Sequence, residues 1–275
     1  MVIKPKILNL GLSTRFKKGH TTWNKGHSSK IKRVCKNCKK EFWVYPSRLK
    51  RRNGGRFCSK SCAMYRYKFN ITNADKHGIA WFLGVMATDG YVRHNKVMLD
   101  IHQQDVDILK SIKKIFKSEH PIKYCHYENK SPMCYLRLPK PFADLCNSYG
   151  IHNKKTFTIE CPKIEDKYFL SFLCGCIDGD GSIGTIPSGK IRMYLCSASL
   201  SFLEGIKCKL KKYNLDDYIN SGKRIPPVYR LKWKTEATAK LCDLMYKSKY
   251  AGKRKKKIYT TFLKKGVMPS HVQET

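Results

Sequence analysis

Two aspartates stand in matching places far apart in the chain. Asp89 stands next to last in the stretch Ile79-Ala-Trp-Phe-Leu-Gly-Val-Met-Ala-Thr-Asp-Gly90, and Asp180 next to last in Tyr168-Phe-Leu-Ser-Phe-Leu-Cys-Gly-Cys-Ile-Asp-Gly-Asp-Gly181. Each follows an apolar segment of helix length and precedes a glycine. A carboxylate at the C-terminal end of a helix faces the negative pole of the helix dipole, typically unfavourable by roughly 0.3–1 kcal/mol. Placing two there calls for a compensating positive charge, and hard carboxylate oxygens suit Mg2+. Gly84 and Gly175 lie five residues before their aspartates, where a glycine lets another backbone approach closely. If the two segments pack through these glycines, both aspartates arrive at one end of a helix pair. Two carboxylates holding metals side by side match phosphodiester hydrolysis, in which the metals activate water and stabilise the attacking and leaving oxygens. Gly90 and Gly181 then read as left-handed helix stops and as backbone adjoining the metal.

A second chemistry lies nearer the N-terminus. Cys35 and Cys38 form a C-x2-C pair, Cys58 and Cys62 a C-x3-C pair, with a basic loop and Gly54-Gly55 between them. Two short-spaced thiol pairs suit one tetrahedral Zn2+ site, closed and therefore structural. Too few large apolar residues surround them to fold so small a unit unaided, so the metal would supply folding free energy. The other nine of the thirteen cysteines are scattered and read as packing residues.

The elements that must position the aspartates form an imperfect duplication over residues 71–275. After each apolar segment comes a hairpin signal: Tyr91–Arg93 with Val97–Ile101, then Ser182–Ile186 with Ile191–Ser197. Amphipathic helices follow at Asp105–Phe116 and Ser199–Tyr213. Two further strands come next in each copy, about Ile122–Tyr127 with Cys134–Leu138 and Tyr218–Ser221 with Val228–Thr235. Helices at Pro141–Tyr149 and Glu236–Tyr246 close them. The expected class is α+β: two αββαββα units spanning 71–167 and 168–275, the second with a basic C-terminal segment. Their antiparallel sheets can each leave one face open to a ligand. Residues 34–70 are the four-cysteine zinc module. Residues 1–33 read as a basic extended arm, with Phe16 and Trp23 interleaved among lysines as suits a nucleic-acid backbone.

Composition bounds the partner. The chain carries 56 Lys and Arg against 20 Asp and Glu, a formal net charge of +36 in 275 residues. So large an excess calls for a polyanion, with nucleic acid ahead of an anionic membrane surface. Residues 1–70 hold 20 of the basic residues and a single acid, Glu41, so the charge is densest there. Apolar residues at 41% exclude a disordered basic tail. The longest apolar stretches, Ile79–Ala87 and Tyr168–Ile177, are about half a bilayer-spanning helix. The N-terminus shows no apolar signal region, so the expectation is an intracellular protein in a reducing compartment with free thiols.

Phe82-Leu-Gly-Val-Met-Ala-Thr-Asp-Gly90 and Leu173-Cys-Gly-Cys-Ile-Asp-Gly-Asp-Gly181 resemble the two signature motifs of LAGLIDADG homing endonucleases. The second agrees at Gly175, Ile177, Asp178, Asp180 and Gly181. The first keeps Gly84, Asp89 and Gly90 but has Ala87 and Thr88 where the motif has Asp and Ala. The resemblance covers about residues 71–265, and the acid before the last glycine, the family's metal ligand, is present in both copies. It implies a monomer acting as a pseudo-dimer. The motif helices would form its central interface, and its two sheets a saddle over the DNA major groove. It implies cleavage of both strands of a long double-stranded target across the minor groove, leaving short 3′ overhangs. It also implies a basic residue late in each unit: Lys155, with Lys154 second, in Asn153-Lys-Lys-Thr156, and Lys256 in the run Lys253-Arg-Lys-Lys-Lys257. The N-terminal arm resembles small modules appended to phage and intron-encoded nucleases.

Sequence reading of the target falls to exposed strand faces, because Arg, Lys and Asn can pair with base edges. The candidates are Tyr91, Arg93, Asn95, Lys96, Lys123, Arg137, Lys190, Arg192, Tyr194, Arg230, Lys232 and Lys234. The expected function is an intron-encoded or free-standing, Mg2+-dependent, site-specific DNA endonuclease. The alternative is a non-cleaving protein on the same fold, either an intron RNA maturase or a DNA-binding regulator, and Ala87 is the feature that points to it.

Overall fold

The structure is a computed structural model describing residues 30–50, 54–64, 67–93, 96–125, 131–222 and 225–264. It divides into two compact units between Arg66 and Tyr67. The sequence places that boundary at residue 70. Of the basic arm, residues 1–29 lie outside the described residues.

In the small unit, strands β1 (Ile31–Val34) and β2 (Glu41–Val44) pair antiparallel, with Lys32 opposite Trp43. Short helices α1 (Pro46–Leu49) and α2 (Lys60–Met64) follow. The strand starting at Ile31 takes up the end of the expected arm. The hairpin turn returns through Lys39 at φ 62°, where the Cys35 N–H donates to the Lys40 carbonyl at 2.9 Å.

The large unit repeats one plan. Its first half runs α3 (Lys76–Thr88), β3 (Gly90–Arg93), β4 (Lys96–His102), α4 (Val106–Ile115), β5 (Ile122–Cys125), β6 (Met133–Pro139) and α5 (Lys140–Ser148). The second half runs α6 (Asp166–Asp178), β7 (Gly181–Thr185), β8 (Ile191–Ser197), α7 (Leu200–Leu210), β9 (Asp217–Ser221), β10 (Tyr229–Trp233) and α8 (Thr235–Tyr246), then adds α9 (Lys253–Lys264). The sheets have matching antiparallel orders, β3-β4-β6-β5 and β7-β8-β10-β9. This is the α+β duplication expected from the sequence. The expected basic tail, however, is in part a helix: Tyr259 and Phe262 of α9 are buried, at a spacing that puts them on one face.

Strand alternation gives each sheet one buried and one open face. Val92, Val97, Leu99, Leu136 and Leu138 point inward in the first sheet, as do Ile183, Ile191, Met193, Leu195 and Leu231 in the second. One apolar cluster runs through both halves, joined by α3 and α6. The two helices are buried along nearly their whole length because each has the other on one side and its own sheet on the other. Asp75 starts α3 by accepting from the Gly78 N–H at 3.0 Å. Among the described residues no helix is long and apolar enough to cross a membrane, and the cysteines form no disulfide.

The glycines set how closely the helices meet. A methyl group on Gly84 would lie 2.0 Å from the Phe172 carbonyl oxygen, and one on Gly175 would lie 2.1 Å from the Trp81 carbonyl oxygen. Both obstacles are backbone, so side-chain repacking cannot relieve them. Gly84→Ala and Gly175→Ala should each cost at least about 1–3 kcal/mol in urea denaturation, the usual range for overpacking. Gly184→Ala in β7, where nothing lies within 4 Å, should cost less than either helix variant.

Candidate active site and metal centre

The close helix crossing brings Asp89 and Asp180 together at one end of the pair. Asp89 caps α3, its N–H donating to Val85 O, while Gly179 caps α6 with Asp180 next. The glycines after the aspartates are not left-handed stops, since neither has a positive φ. They are needed because the chain folds back over the helix it has just left. A methyl on Gly90 would lie 2.6 Å from Met86 Cα, and one on Gly181 would lie 2.5 Å from Ile177 Cα. Nearer the junction, a methyl on Gly179 would lie 2.0 Å from Thr88 Oγ1. Thr88 and Gly179 hold equivalent motif positions, and this contact leaves room for a side chain on only one of them.

Lysines fill the role of the expected positive charge at both helix ends. Lys155 Nζ donates to the carbonyls of Thr88 at 3.1 Å and Gly90 at 2.7 Å. Lys255 Nζ donates to those of Ile177, Asp178 and Gly179 at 2.6, 2.8 and 2.9 Å. Each ammonium thus satisfies C-terminal carbonyls that a helix leaves without partners. The second lysine is Lys255 and not Lys256: residues 253–257 are helical, so adjacent side chains diverge by about 100°. Lys256 Nζ turns away to donate to the Tyr246 carbonyl at 3.1 Å. Lys155 sits on a single 3-10 turn after Lys154, whose φ is 58°.

The electrostatics follow from this crowding. The Asp89 and Asp180 residues are open to solvent on their outer side, yet enough protein packs around the carboxylates to disfavour their charge. Burial and then the charge of Asp180 push Asp89 up to about 6, with Lys255 and Lys155 opposing. Asp180 is also raised by burial, with the same lysines opposing. Lys155 and Lys255 are lowered by burial against the pull of the acids. A pair of hard carboxylates that repel each other in a half-desolvated groove fits a divalent cation bound by oxygen. Beside them, Asp89, His102, Asp105, Asp178 and Gly179 help line a cavity of about 250 Å³.

The departure at Ala87 has a packing reason. The matching residue, Asp178, is 3% exposed and accepts from Trp81 Nε1 at 2.8 Å and the Gly252 N–H at 2.7 Å. Trp81 lies on α3, so this bond crosses the helix pair. The position matching Trp81 in α6 is Phe172, whose side chain has no N–H to give. An acid in place of Ala87 would have no such donor at that position, and alanine with phenylalanine needs none.

The four expected cysteines come together in the small unit. The sulfurs of Cys35, Cys38, Cys58 and Cys62 all lie within 4.8 Å of one another, with Cys38–Cys58 and Cys58–Cys62 both at 3.5 Å. A tetrahedron of sulfurs bonded at about 2.3 Å to one metal has edges of about 3.8 Å, so this cluster can hold an ion. Cys35 lies in the hairpin turn and is pushed up by burial, but backbone N–H groups of Cys38, Cys58 and Asn37 outweigh this and bring it down to about 6. The bond that the Cys58 thiol donates to Cys62 Sγ, with the one it shares with Cys38, pushes it up to about 12.

Most of the residues expected to read DNA fall on the open sheet faces. Tyr91, Met98 and Arg137 form one cross-strand row, and Asp100, Tyr135 and Lys123 another. Arg93 pairs with Lys96. In the second sheet Ser182, Tyr194, Lys232 and Tyr218 form a row, with Arg192 and Arg230 exposed beside it. Aromatic rings support several of these cations: Arg137 lies 4.8 Å from the Tyr135 ring centre, Arg230 5.9 Å from Tyr194 and Lys232 5.7 Å from Tyr218. Lys190 lies in the β7–β8 turn. Lys234 is off the strand, at the start of α8, and ion-pairs with Asp216 at 2.6 Å. Asn95 lies outside the described residues.

Asp178 yields a pH test. Burial pushes it up to about 6, against the bonds from Trp81 and Gly252. A raised acid binds its proton more tightly in the folded state, so its contribution to stability is full below about pH 4 and is lost as pH rises through about 6. In metal-free protein, the loss of stability of the large unit between pH 4.5 and pH 8 should be smaller in Asp178→Asn by about 2–3 kcal/mol. Urea titrations at the two pH values measure it.

The structural neighbours of the chain include LAGLIDADG homing endonucleases and the LAGLIDADG domain of WhiA. The chain is similar to mesophilic variants of the homing endonuclease I-DmoI at 14% identity, over 63% of this chain and 92% of that one, with a TM-score of 0.47. The I-DmoI complex with DNA and Ca gives the same figures. Full-length DUF199/WhiA from Thermatoga maritima is 15% identical over 74% of this chain and 64% of that one, with a TM-score of 0.49. No family model and no curated protein matches the chain.

Proposed function

We propose that the chain is a Mg2+-dependent, sequence-specific endonuclease of double-stranded DNA. The observation that carries this reading is the meeting of Asp89 and Asp180 at two lysine-capped helix ends, in a molecule with an overwhelming positive charge. Asp89 and Asp180 would hold the cation, which when bound lowers the pKa of water and stabilises charge on a phosphoryl group. The chain's own residues supply the rest. The open sheet faces bind the duplex and set its register: Arg137, Arg230 and Lys232, resting against tyrosine rings, donate to base edges or phosphates. Lys155 and Lys255 keep one ammonium at each helix end, where negative charge would grow on the phosphate under attack. Their carbonyl partners fix the ammonium positions before DNA arrives, so little reorganisation is left to the reaction. Two helix ends give one aspartate and one lysine to each strand of the duplex.

The small unit is proposed to hold Zn2+ through Cys35, Cys38, Cys58 and Cys62, and to add basic surface along the DNA. Its hairpin leaves Trp43 63% exposed among lysines and arginines, and an exposed ring can lie against a nucleotide. With so little apolar core around the cysteines, metal binding would supply most of its folding free energy.

Two outcomes test this reading. Wild type with Mg2+ should linearise plasmids drawn from a random-site library, and Asp89→Asn and Asp180→Asn should each slow this by at least about a hundredfold, near 2.7 kcal/mol, while still binding the same DNA. Wild type that binds a defined site without cutting it would instead assign the regulator or maturase alternative. In hydrogen exchange, a strong chelator should deprotect amides of residues 30–64 and leave those of α3 and α6 protected.

A further inference from the structure

The helix that carries Lys255 is fastened to the opposite half of the large unit. At its start, the Lys253 N–H donates to Asp107 Oδ2 at 2.7 Å. Arg254 then makes a two-pronged ion pair with Asp105, Nε to Oδ1 at 2.7 Å and Nη2 to Oδ2 at 2.9 Å. Asp105 lies 149 residues away in sequence, at the entry to α4 of the first half. Paired forks of this kind fix direction as well as distance. The residue after Arg254 is Lys255.

The other half carries a counterpart. Ser199 precedes α7 as Asp105 precedes α4. Its hydroxyl, 2% exposed, donates to the Ile159 carbonyl at 2.6 Å. The Ile159 N–H donates in turn to the Lys155 carbonyl at 2.8 Å. So in each half the residue that opens the second helix grips the segment bearing the other half's lysine. One grip is a carboxylate on a guanidinium, the other a hydroxyl on a carbonyl.

We infer that Asp105 and Arg254 are positioning residues for Lys255, holding its ammonium on the end of α6 from across the pseudo-symmetric interface. This rests on the nuclease reading for its effect on DNA, but not for its effect on the lysine. Loss of the clasp should act on one helix end only. With Mg2+, Asp105→Ala should slow the cutting of one strand at least about tenfold and leave the other within about twofold, so nicked circles accumulate. Arg254→Lys, with one prong instead of a fork, should show a weaker bias of the same sense. The exchanged pair Asp105→Arg with Arg254→Asp should restore linear product. Equal slowing of both strands, or no rescue by the exchange, would overturn the proposal.

A second readout needs neither metal nor DNA. Acetic anhydride labelling of the full chain, followed by mass spectrometry, should modify Lys255 at least about threefold faster in Asp105→Ala than in wild type, with Lys155 unchanged. An unchanged rate at Lys255, or an equal rise at both lysines, would refute the clasp. If wild type cuts neither strand, the nuclease reading fails, and the labelling alone decides whether the clasp exists.

Discussion

The large unit is built on two helices whose backbones meet where each has a glycine in place of a side chain. At Gly84 and Gly175 the backbone of each helix rests on that of the other. The approach carries the C-terminal ends of both helices to one place, and with them two carboxylates that repel each other. Two negative helix poles and two acids would be an unstable grouping in a half-desolvated groove. Lys155 and Lys255 relieve it by occupying the terminal carbonyls. The carboxylates keep raised proton affinities all the same. Burial is the main reason, so the carboxylates lack the solvation that a divalent cation would replace.

The two halves repeat each other in plan and differ where the interface is shared. Trp81 donates to Asp178 across the helix pair, while Phe172 and Ala87 hold the reciprocal positions without a polar atom. Thr88 has a side chain where Gly179 cannot. The lysine of the first half sits on one turn of 3-10 helix, that of the second on a twelve-residue helix tied to the opposite half. A symmetric homodimer of such units would need identical partners on both sides. A single chain can let one side keep a donor–acceptor pair and the other an apolar one. Ala87 fits the apolar side of this exchange, opposite Phe172.

Much of this was legible in the sequence because it rests on local patterns. Alternation and helical spacing revealed the doubled strand and helix order, and the paired thiols revealed the cluster of Cys35, Cys38, Cys58 and Cys62. The glycines before the aspartates announced the crossing. What local pattern could not show was direction around a helix in a basic run. Within Lys253–Lys257 nothing local singles out one lysine, so the expectation falls on Lys256, and only the burial of Tyr259 and Phe262 shows the side of α9 that turns Lys255 inward. Likewise Asp-Gly suggests a left-handed stop, while the real demand at Gly90 and Gly181 is room for Met86 and Ile177. The tie from Asp105 to Arg254 joins residues with no sequence relation, so only the fold could disclose it.

Under the proposed nuclease function, one pair of helix ends would make two coordinated cutting centres, one per strand. Sequencing both ends of the DNA products released with Mg2+ tests it most directly. Each product should carry one cut on each strand, offset by a few nucleotides to leave a 3′ overhang of constant length. Ends of variable offset, or products broken on one strand alone by the unaltered protein, would contradict it.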